Sequence, residues 1–366
     1  MNRRTVLQCG LGTAWAAPLI ALVQRRDKLD DAADVLRRAV EAGQVKAAAL
    51  FVRHRRDEFV RSFGAARSPD ALFLLGSISK PMTVTALMTL YDLSKFRLED
   101  PVRKFLPEFQ GSPRDRITVR QLLTHVSGLP DQLPENQALR KRHAPLSEFV
   151  AGAIRTPLLF EPGSRYGYSS MAILLASEIG RRIRGTALPA LIEDAVFRPL
   201  EMKHSALGLG RFPLEATMRC QSEDAAPESG AGDPSAKGWD WNSSYWRRLG
   251  APWGGVHASA PDVGRFLAEF LHQEGKALRP ETARLMLRNH NPDGLTPRGL
   301  GFAIGAPAGS PGCSESTFGH GGSTGTLAWA DPRTETICVV LTTLPGGAVN
   351  PHPRTLASDR VASAVI

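Results

Sequence analysis

The sequence predicts an α+β fold in which an antiparallel sheet is flanked by helices and carries an inserted all-helical subdomain. Three observations lead to this prediction. A helix and two strands open the chain, helical patterns fill its middle, and short strands with a last helix close it. Strands and helices that are grouped separately along the sequence, instead of alternating, are typical of an α+β arrangement.

The first elements are a helix and a hairpin. Apolar residues spaced three and four apart predict a helix over 27–42, and Gly43 is a good stop signal for it. Strand patterns at 47–53 and 58–63 flank a short polar stretch, which predicts a β-hairpin.

The middle of the chain is predicted to be helical. The segment after Lys80 is apolar nearly all round, which is typical of a buried helix. Thr118 suits the N-cap of another helix, and Gly128 and Pro130 are expected to end that helix. A further helix is predicted to follow Tyr168.

Strand patterns return near the C-terminus, at 301–304, 317–320, 327–330 and 336–342, and a helix over 355–365 follows them. We therefore expect one domain over 27–366, in which an α/β part comes from 27–75 and 250–366 and a helical part from 76–249.

Residues 1–24 are predicted to be an export signal. Arg3 and Arg4 precede a moderately apolar run that contains small residues at 14–17. The arginine pair fits a twin-arginine signal, and a chance pair on a general secretory signal or on an uncleaved anchor is the alternative. We expect a periplasmic or secreted protein.

Composition argues against several classes of function. The net charge is +9, but the cations are scattered, so nucleic-acid binding is not expected. The four cysteines form no group with metal-ligand spacing, and no metal, cofactor or partner protein is implied. Cys313 and Cys338 could pair if their strands were adjacent, but buried free thiols are the favoured interpretation.

The chemistry is concentrated between residues 73 and 83, where Ser77 precedes Lys80 by three positions. This spacing puts the two side chains on the same face of a helix, about one turn apart. A serine hydroxyl is a weak nucleophile until a base takes its proton, and Lys80 is placed to be that base. The alternative is that Ser77 only caps a helix and that Lys80 lies on the surface. Partner motifs elsewhere in the sequence distinguish these two interpretations.

Two such motifs follow, Tyr168-Ser169-Ser170 and His320-Gly321-Gly322-Ser323. In this order, the three motifs resemble those of the serine β-lactamase and penicillin-binding-protein family. The class C-like branch of this family is the most similar, since its second motif is Tyr-x-Asn and its third motif is often His-x-Gly. This branch includes D-Ala carboxypeptidases, D-amino peptidases and β-lactamase-like carboxylesterases. The resemblance covers nearly all of the chain and implies a β-lactamase/transpeptidase-like fold.

The resemblance also implies a role for each matching residue. Ser77 would be the nucleophile that is acylated, and Lys80 and Tyr168 would take its proton and later activate water. The backbone amides of Ser77 and Ser323 would form the oxyanion hole. Gly322 would let a substrate lie against the strand backbone.

Two positions depart from the family pattern. Ser170 stands where asparagine is usual, and its shorter hydroxyl cannot make the same contact with a substrate amide. His320 stands where β-lactamases carry lysine, so a fixed cation for a β-lactam carboxylate is expected to be missing. Both departures weaken the assignment as a β-lactamase and leave a serine hydrolase intact.

Other residues leave alternatives open. His125 and Ser127 are residue types that could form a catalytic pair. The favoured interpretation is that they make buried hydrogen bonds that fix a loop. An aromatic group either packs against the body of the protein, which is favoured, or lines a substrate cleft; its members are Trp239, Trp241, Tyr245, Trp246 and Trp253.

The sequence therefore predicts an exported serine hydrolase that acts through an acyl-enzyme on a small-molecule ester or a short D-amino-acid peptide. A true β-lactamase or D-Ala-D-Ala carboxypeptidase is one alternative. A non-catalytic penicillin-binding module is another, although a pure binder has no need of Ser77, Lys80 and Tyr168 together.

Overall fold

A computed structural model describes residues 16–225, 229–231 and 233–365. Residues 1–15, most of the predicted export signal, lie outside the described residues, and 16–24 form the start of the first helix. In the part of the chain that is described, no helix combines the length and apolarity that a membrane span needs.

The fold is α+β, as predicted. The strands are β1 (Ala47–His54), β2 (Asp57–Gly64), β3 (Phe73–Leu74), β4 (Ser205–Leu207), β5 (Val256–Ala258), β6 (Ala303–Ile304), β7 (Phe318–Gly322), β8 (Thr326–Asp331) and β9 (Thr336–Thr342). The α-helices are α1 (Ala16–Glu41), α2 (Ser79–Asp92), α3 (Val119–Leu123), α4 (Asn136–Lys141), α5 (Leu146–Arg155), α6 (Ser170–Arg184), α7 (Leu188–Ile192), α8 (Ser244–Leu249), α9 (Ala260–His272), α10 (Pro280–Met286) and α11 (Pro353–Val365).

The main sheet has six strands in the order β2-β1-β9-β8-β7-β6, and each neighbouring pair is antiparallel. The predicted hairpin is confirmed as β1 and β2. The strand predicted over 301–304 is shorter, because Gly301 has a positive φ of 81° and its N–H bonds the carbonyl of Leu123 instead of a neighbouring strand.

The sheet is buried on both faces. Alternate residues of β1 belong to two separate hydrophobic clusters: Leu50 packs in the cluster that contains α1 and α11, and Phe51 packs in the cluster that contains α9. Successive side chains of a strand point to opposite faces, so a continuous apolar run such as that of β1 suits a sheet with helices on each side.

The helical elements between β3 and β5 pack around α2, whose side chains are buried nearly all round, as predicted. Thr118 caps α3, also as predicted, and forms a capping box with Gln121. The helix ends at Leu123 rather than at Gly128, because the backbone turns at His125, which has a positive φ of 62°.

The cysteines of the described residues carry free thiols, so the expectation that Cys313 and Cys338 do not pair is confirmed. Cys338 and Cys220 are buried, whereas Cys313 is half-buried. Burial raises the pKa of the Cys220 thiol and disfavours the reactive thiolate there.

Candidate active site

Ser77 lies in a tight turn between β3 and α2. Gly76, directly before it, has a positive φ of 56°, a conformation that residues with a side chain rarely adopt. A Cβ at Gly76 would also lie 2.9 Å from the Thr324 hydroxyl, closer than such atoms approach. Glycine therefore permits the turn that presents Ser77 at the start of a buried, rigid helix.

Lys80 is buried, with only 1% of its surface exposed, so the alternative of a surface lysine is excluded. Its Nζ lies 2.9 Å from Ser77 Oγ and donates to the carbonyl oxygen of Trp253 at 2.9 Å. The same nitrogen lies 4.7 Å from the centre of the Tyr168 ring. The predicted nucleophile and base are therefore within hydrogen-bond distance of each other.

Burial lowers the pKa of Lys80 to about 7, because the charged ammonium loses its hydration. The charge of Asp131 opposes this effect, and the charge of Arg298 adds to it. A pKa of about 7 leaves a large fraction of Lys80 as the free amine at neutral pH. The amine can then accept the proton of Ser77, which an ordinary lysine at this pH cannot do.

Tyr168 completes a small network with these two residues. Both Ser77 and Tyr168 line the same cavity. Burial raises the pKa of the Tyr168 hydroxyl, whereas the neighbouring Ser77 hydroxyl and the charge of Arg298 oppose the rise. The next residue, Ser169, caps α6 and donates to the carbonyl of Pro130 at 2.8 Å, which holds this segment in place.

His125 supports this segment from behind. Its Nδ1 accepts the N–H of Ser169 at 3.2 Å, and its ring centre lies 4.6 Å from that of Tyr168. Ser127 is buried and accepts a hydrogen bond from the N–H of Leu129. The favoured interpretation, buried hydrogen bonding that fixes the loop, is confirmed.

The third motif reaches the site at the end of β7. A Cβ at Gly322 would lie 2.2 Å from the carbonyl oxygen of Leu75, so glycine allows β7 to pack directly on the backbone before Ser77. The N–H of Ser323 then lies 3.2 Å from the position of a Cβ at Gly76. The backbone of Ser323 thus lies beside that of Gly76, which directly precedes Ser77, but Gly322 contacts protein backbone rather than the cavity.

His320, which stands where β-lactamases carry lysine, has a protein partner at each of its two ring nitrogens. Its Nε2 lies 2.8 Å from a guanidinium nitrogen of Arg298, and its Nδ1 lies 2.7 Å from the carbonyl oxygen of Gly321. A guanidinium only donates, so Nε2 accepts and Nδ1 carries the proton that bonds the carbonyl. Burial, with the charges of Arg298 and Lys80, lowers the pKa of His320 well below its usual value. The imidazole is neutral and both its nitrogens are occupied.

Arg298 is a functional candidate that the sequence analysis missed. It is 7% exposed, forms no salt bridge with any carboxylate of the described residues, and lies 5.9 Å from the centre of the Tyr168 ring. The cation expected to be missing from the third motif is therefore present behind His320. No motif marks Arg298, which lies in a loop 22 residues before His320.

Asp131 is a second residue that the sequence analysis missed, and its contacts show what Ser170 does in the structure. The N–H and the hydroxyl of Ser170 both donate to Asp131 Oδ1, at 2.8 and 2.6 Å. Ser170 is buried, whereas Asp131 is exposed at the cavity. The residue that replaces the usual asparagine therefore holds a carboxylate at the edge of the site.

These residues surround a cavity of about 150 Å³. Four of the predicted site residues line it: Ser77, Tyr168, Ser170 and Ser323. Three tryptophans that also line it are at most 7% exposed: Trp241, Trp246 and Trp253. The favoured interpretation of the aromatic group, packing against the body of the protein, is confirmed for these three rings, and the same rings form part of the cavity wall.

Comparisons with known proteins agree with this arrangement. Residues 32–362 match the model of a protein family described as Beta-lactamase. Esterase EstB of Burkholderia gladioli is 29% identical over 323 residues, which cover 80% of this chain and 81% of EstB.

Solved structures show the same fold. A penicillin-binding protein homologue from Caulobacter crescentus has a TM-score of 0.74 at 22% identity, with 93% of this chain and 98% of that chain covered. EstCE1, described as a hydrolase with promiscuous acyltransferase activity, has a TM-score of 0.73 at 19% identity, with 94% and 100% covered. Identities this low support the fold and leave the substrate open.

Proposed function

This chain belongs to the beta-lactamase family of serine hydrolases, and we propose that it is an exported enzyme that hydrolyses short-chain esters of small molecules through an acyl-enzyme on Ser77. One observation carries the proposal: Ser77 Oγ lies 2.9 Å from the amine of Lys80, whose pKa is about 7, at the edge of a small cavity.

In the proposed reaction, the free amine of Lys80 takes the proton of Ser77 while Oγ attacks the ester carbonyl. The amides of Ser77 and Ser323 bind the oxyanion that forms. The C–O bond to the alcohol then breaks, and the proton passes from Lys80, through Tyr168, to the leaving oxygen. Water repeats the sequence in the second half-reaction, in which the carboxylic acid leaves and Ser77 regains its proton.

Two features favour an ester without a carboxylate over a β-lactam or a D-Ala-D-Ala peptide, which both carry one. His320 has no nitrogen free to bind a carboxylate. Asp131 adds a negative charge at the cavity, and like charges at short range repel. The cavity volume of about 150 Å³ also suits a short acyl group.

The test combines labelling with turnover. A fluorophosphonate probe should modify Ser77, as mapped by mass spectrometry, and Ser77→Ala should abolish both the adduct and the hydrolysis of 4-nitrophenyl butyrate. Ser363→Ala, on the exposed face of α11, is the matched control and should behave as wild type. We expect kcat/KM for the ester to exceed that for nitrocefin. An equal adduct on Ser77→Ala, or faster turnover of nitrocefin, would contradict the proposal.

Export is supported by Arg3 and Arg4 ahead of an apolar run with small residues. We expect the mature protein to begin directly after residues 14–17 or a few positions later. N-terminal sequencing of protein isolated from the producing cell tests this expectation. Finding Met1 or Asn2 at the terminus of cytosolic protein would overturn it.

A further inference from the structure

The carboxylate of Asp131 is held at the cavity by one of its two oxygens. Oδ1 accepts both hydrogen bonds from Ser170, which is the first residue of α6. Negative charge is favoured near the N-terminus of a helix, because the free N–H groups and the positive end of the helix dipole lie there. Asp131 is therefore oriented by the protein, while its side chain stays exposed to the cavity.

No cation of the described residues forms a salt bridge with Asp131. The cations around the cavity have other partners. Lys80 bonds Ser77 and the carbonyl of Trp253, and Arg298 bonds His320. The guanidinium of Arg140 lies 3.9 Å from the ring of Trp246. The site thus holds a negative charge whose second oxygen, Oδ2, accepts no hydrogen bond from the described residues.

We propose that Asp131 binds a protonated amine on the acyl part of the substrate, so that aminoacyl esters are the preferred substrate class. The inference rests on the proposed function, because the acyl group is the part that Ser77 retains through both half-reactions. A charge-assisted hydrogen bond from an ammonium to Oδ2 would supply the missing partner.

The test uses two esters of the same shape. Alanine methyl ester and methyl isobutyrate differ only in an ammonium that replaces a methyl group. We compare kcat/KM for the pair, using each enantiomer of alanine, in wild type and in Asp131→Asn. The amide oxygen of this variant can still accept both bonds from Ser170, so only the charge changes. The ratio for one protein cancels any change in Lys80 that the substitution causes.

We expect kcat/KM for alanine methyl ester, divided by kcat/KM for methyl isobutyrate, to fall about tenfold in Asp131→Asn. This is the size of effect typical of losing a charged hydrogen-bond partner. Asp57→Asn removes an exposed carboxylate from the first residue of β2, the edge strand at the other end of the sheet from β6 and β7, and should leave the ratio unchanged.

Two outcomes separate this inference from the proposed function. If wild type hydrolyses both esters and Asp131→Asn leaves their ratio unchanged, the amine site is refuted and the esterase stands. If Ser77 is not labelled and neither ester is hydrolysed, the proposed function fails and this inference fails with it.

A second measurement needs no variant and so does not depend on the folding of Asp131→Asn. Alaninol and 2-methylpropan-1-ol are isosteres that should compete with methyl isobutyrate in wild type. We expect alaninol to have an inhibition constant about tenfold lower. Equal constants for the two alcohols would overturn the amine site.

Discussion

Replacing Arg298 by methionine should move the acid limb of the pH–activity profile to higher pH. Methionine is similar in length but uncharged, so it removes the cation and keeps much of the buried volume. The charge of Arg298 lowers the pKa of Lys80. Without it, the pKa of Lys80 rises, and more of the amine is protonated at neutral pH, where it cannot take the proton of Ser77. The pKa of Tyr168 should also rise, because the same charge lowers it in wild type. The Tyr168 hydroxyl would then release its proton less readily, which also reduces activity.

The magnitude follows from two distances. The Arg298 guanidinium lies 5.9 Å, and Lys80 Nζ lies 4.7 Å, from the centre of the Tyr168 ring, so the two charges are at most about 11 Å apart. At an effective dielectric constant of about 20, this separation corresponds to about 1.5 kcal/mol, or about one pH unit. With a pKa of about 7 in wild type, kcat/KM should fall roughly fivefold at pH 7 and less than twofold at pH 9.

The assay is kcat/KM for 4-nitrophenyl butyrate between pH 5.5 and 9.5, since this parameter reports the pKa values of the free enzyme. Arg298→Lys keeps a positive charge and is the control, so its acid limb should stay near that of wild type. Thermal unfolding of each variant checks that the fold is intact. A loss of activity in Arg298→Met that is equal at every pH, or an unchanged acid limb, would refute this account of Lys80.

Two further predictions test the site. Lys80→Ala and Tyr168→Phe should each greatly reduce the acylation rate in stopped-flow assays, and the double mutant should lose little more, because residues that act as one unit show non-additive losses; losses that multiply would mean independent action. Gly322→Ala should lower the free energy of unfolding by about 1–3 kcal/mol, because its Cβ would lie 2.2 Å from the carbonyl oxygen of Leu75. The control Gly321→Ala, with no neighbour closer than 3.9 Å, should change it by less than about 0.5 kcal/mol; equal effects in denaturant titrations would contradict the packing argument.

Features that depend on neighbours along the chain were predictable from the sequence. The strands β1 and β2 follow from their residue patterns, and the N-cap of α3 follows from Thr118. The pairing of Ser77 with Lys80 is of the same kind, because one turn of helix fixes their relative position. Each of these features needs only the geometry of a single element.

Features that depend on distant contacts were not predictable in this way. The end of α3 is one example: the carbonyl of His125 accepts the N–H of Gly167, and its ring accepts the N–H of Ser169. These bonds hold the positive φ of His125, which no local pattern indicates. Asp131 and Arg298 lie in irregular segments without periodicity, and only the folded chain brings them to Ser170 and His320.

The state of Lys80 combines both kinds of information. Spacing in the sequence places its amine beside Ser77, but spacing alone leaves a lysine charged at neutral pH. The amine becomes a base because the fold buries it and because the positive charge of Arg298 lies nearby, 5.9 Å from the centre of the Tyr168 ring. Asp131 opposes both effects from the cavity side. A substrate ammonium bound to Asp131 would neutralise that opposition and lower the pKa of Lys80 further, so the substrate class inferred for this site would itself help to release the amine that starts the reaction.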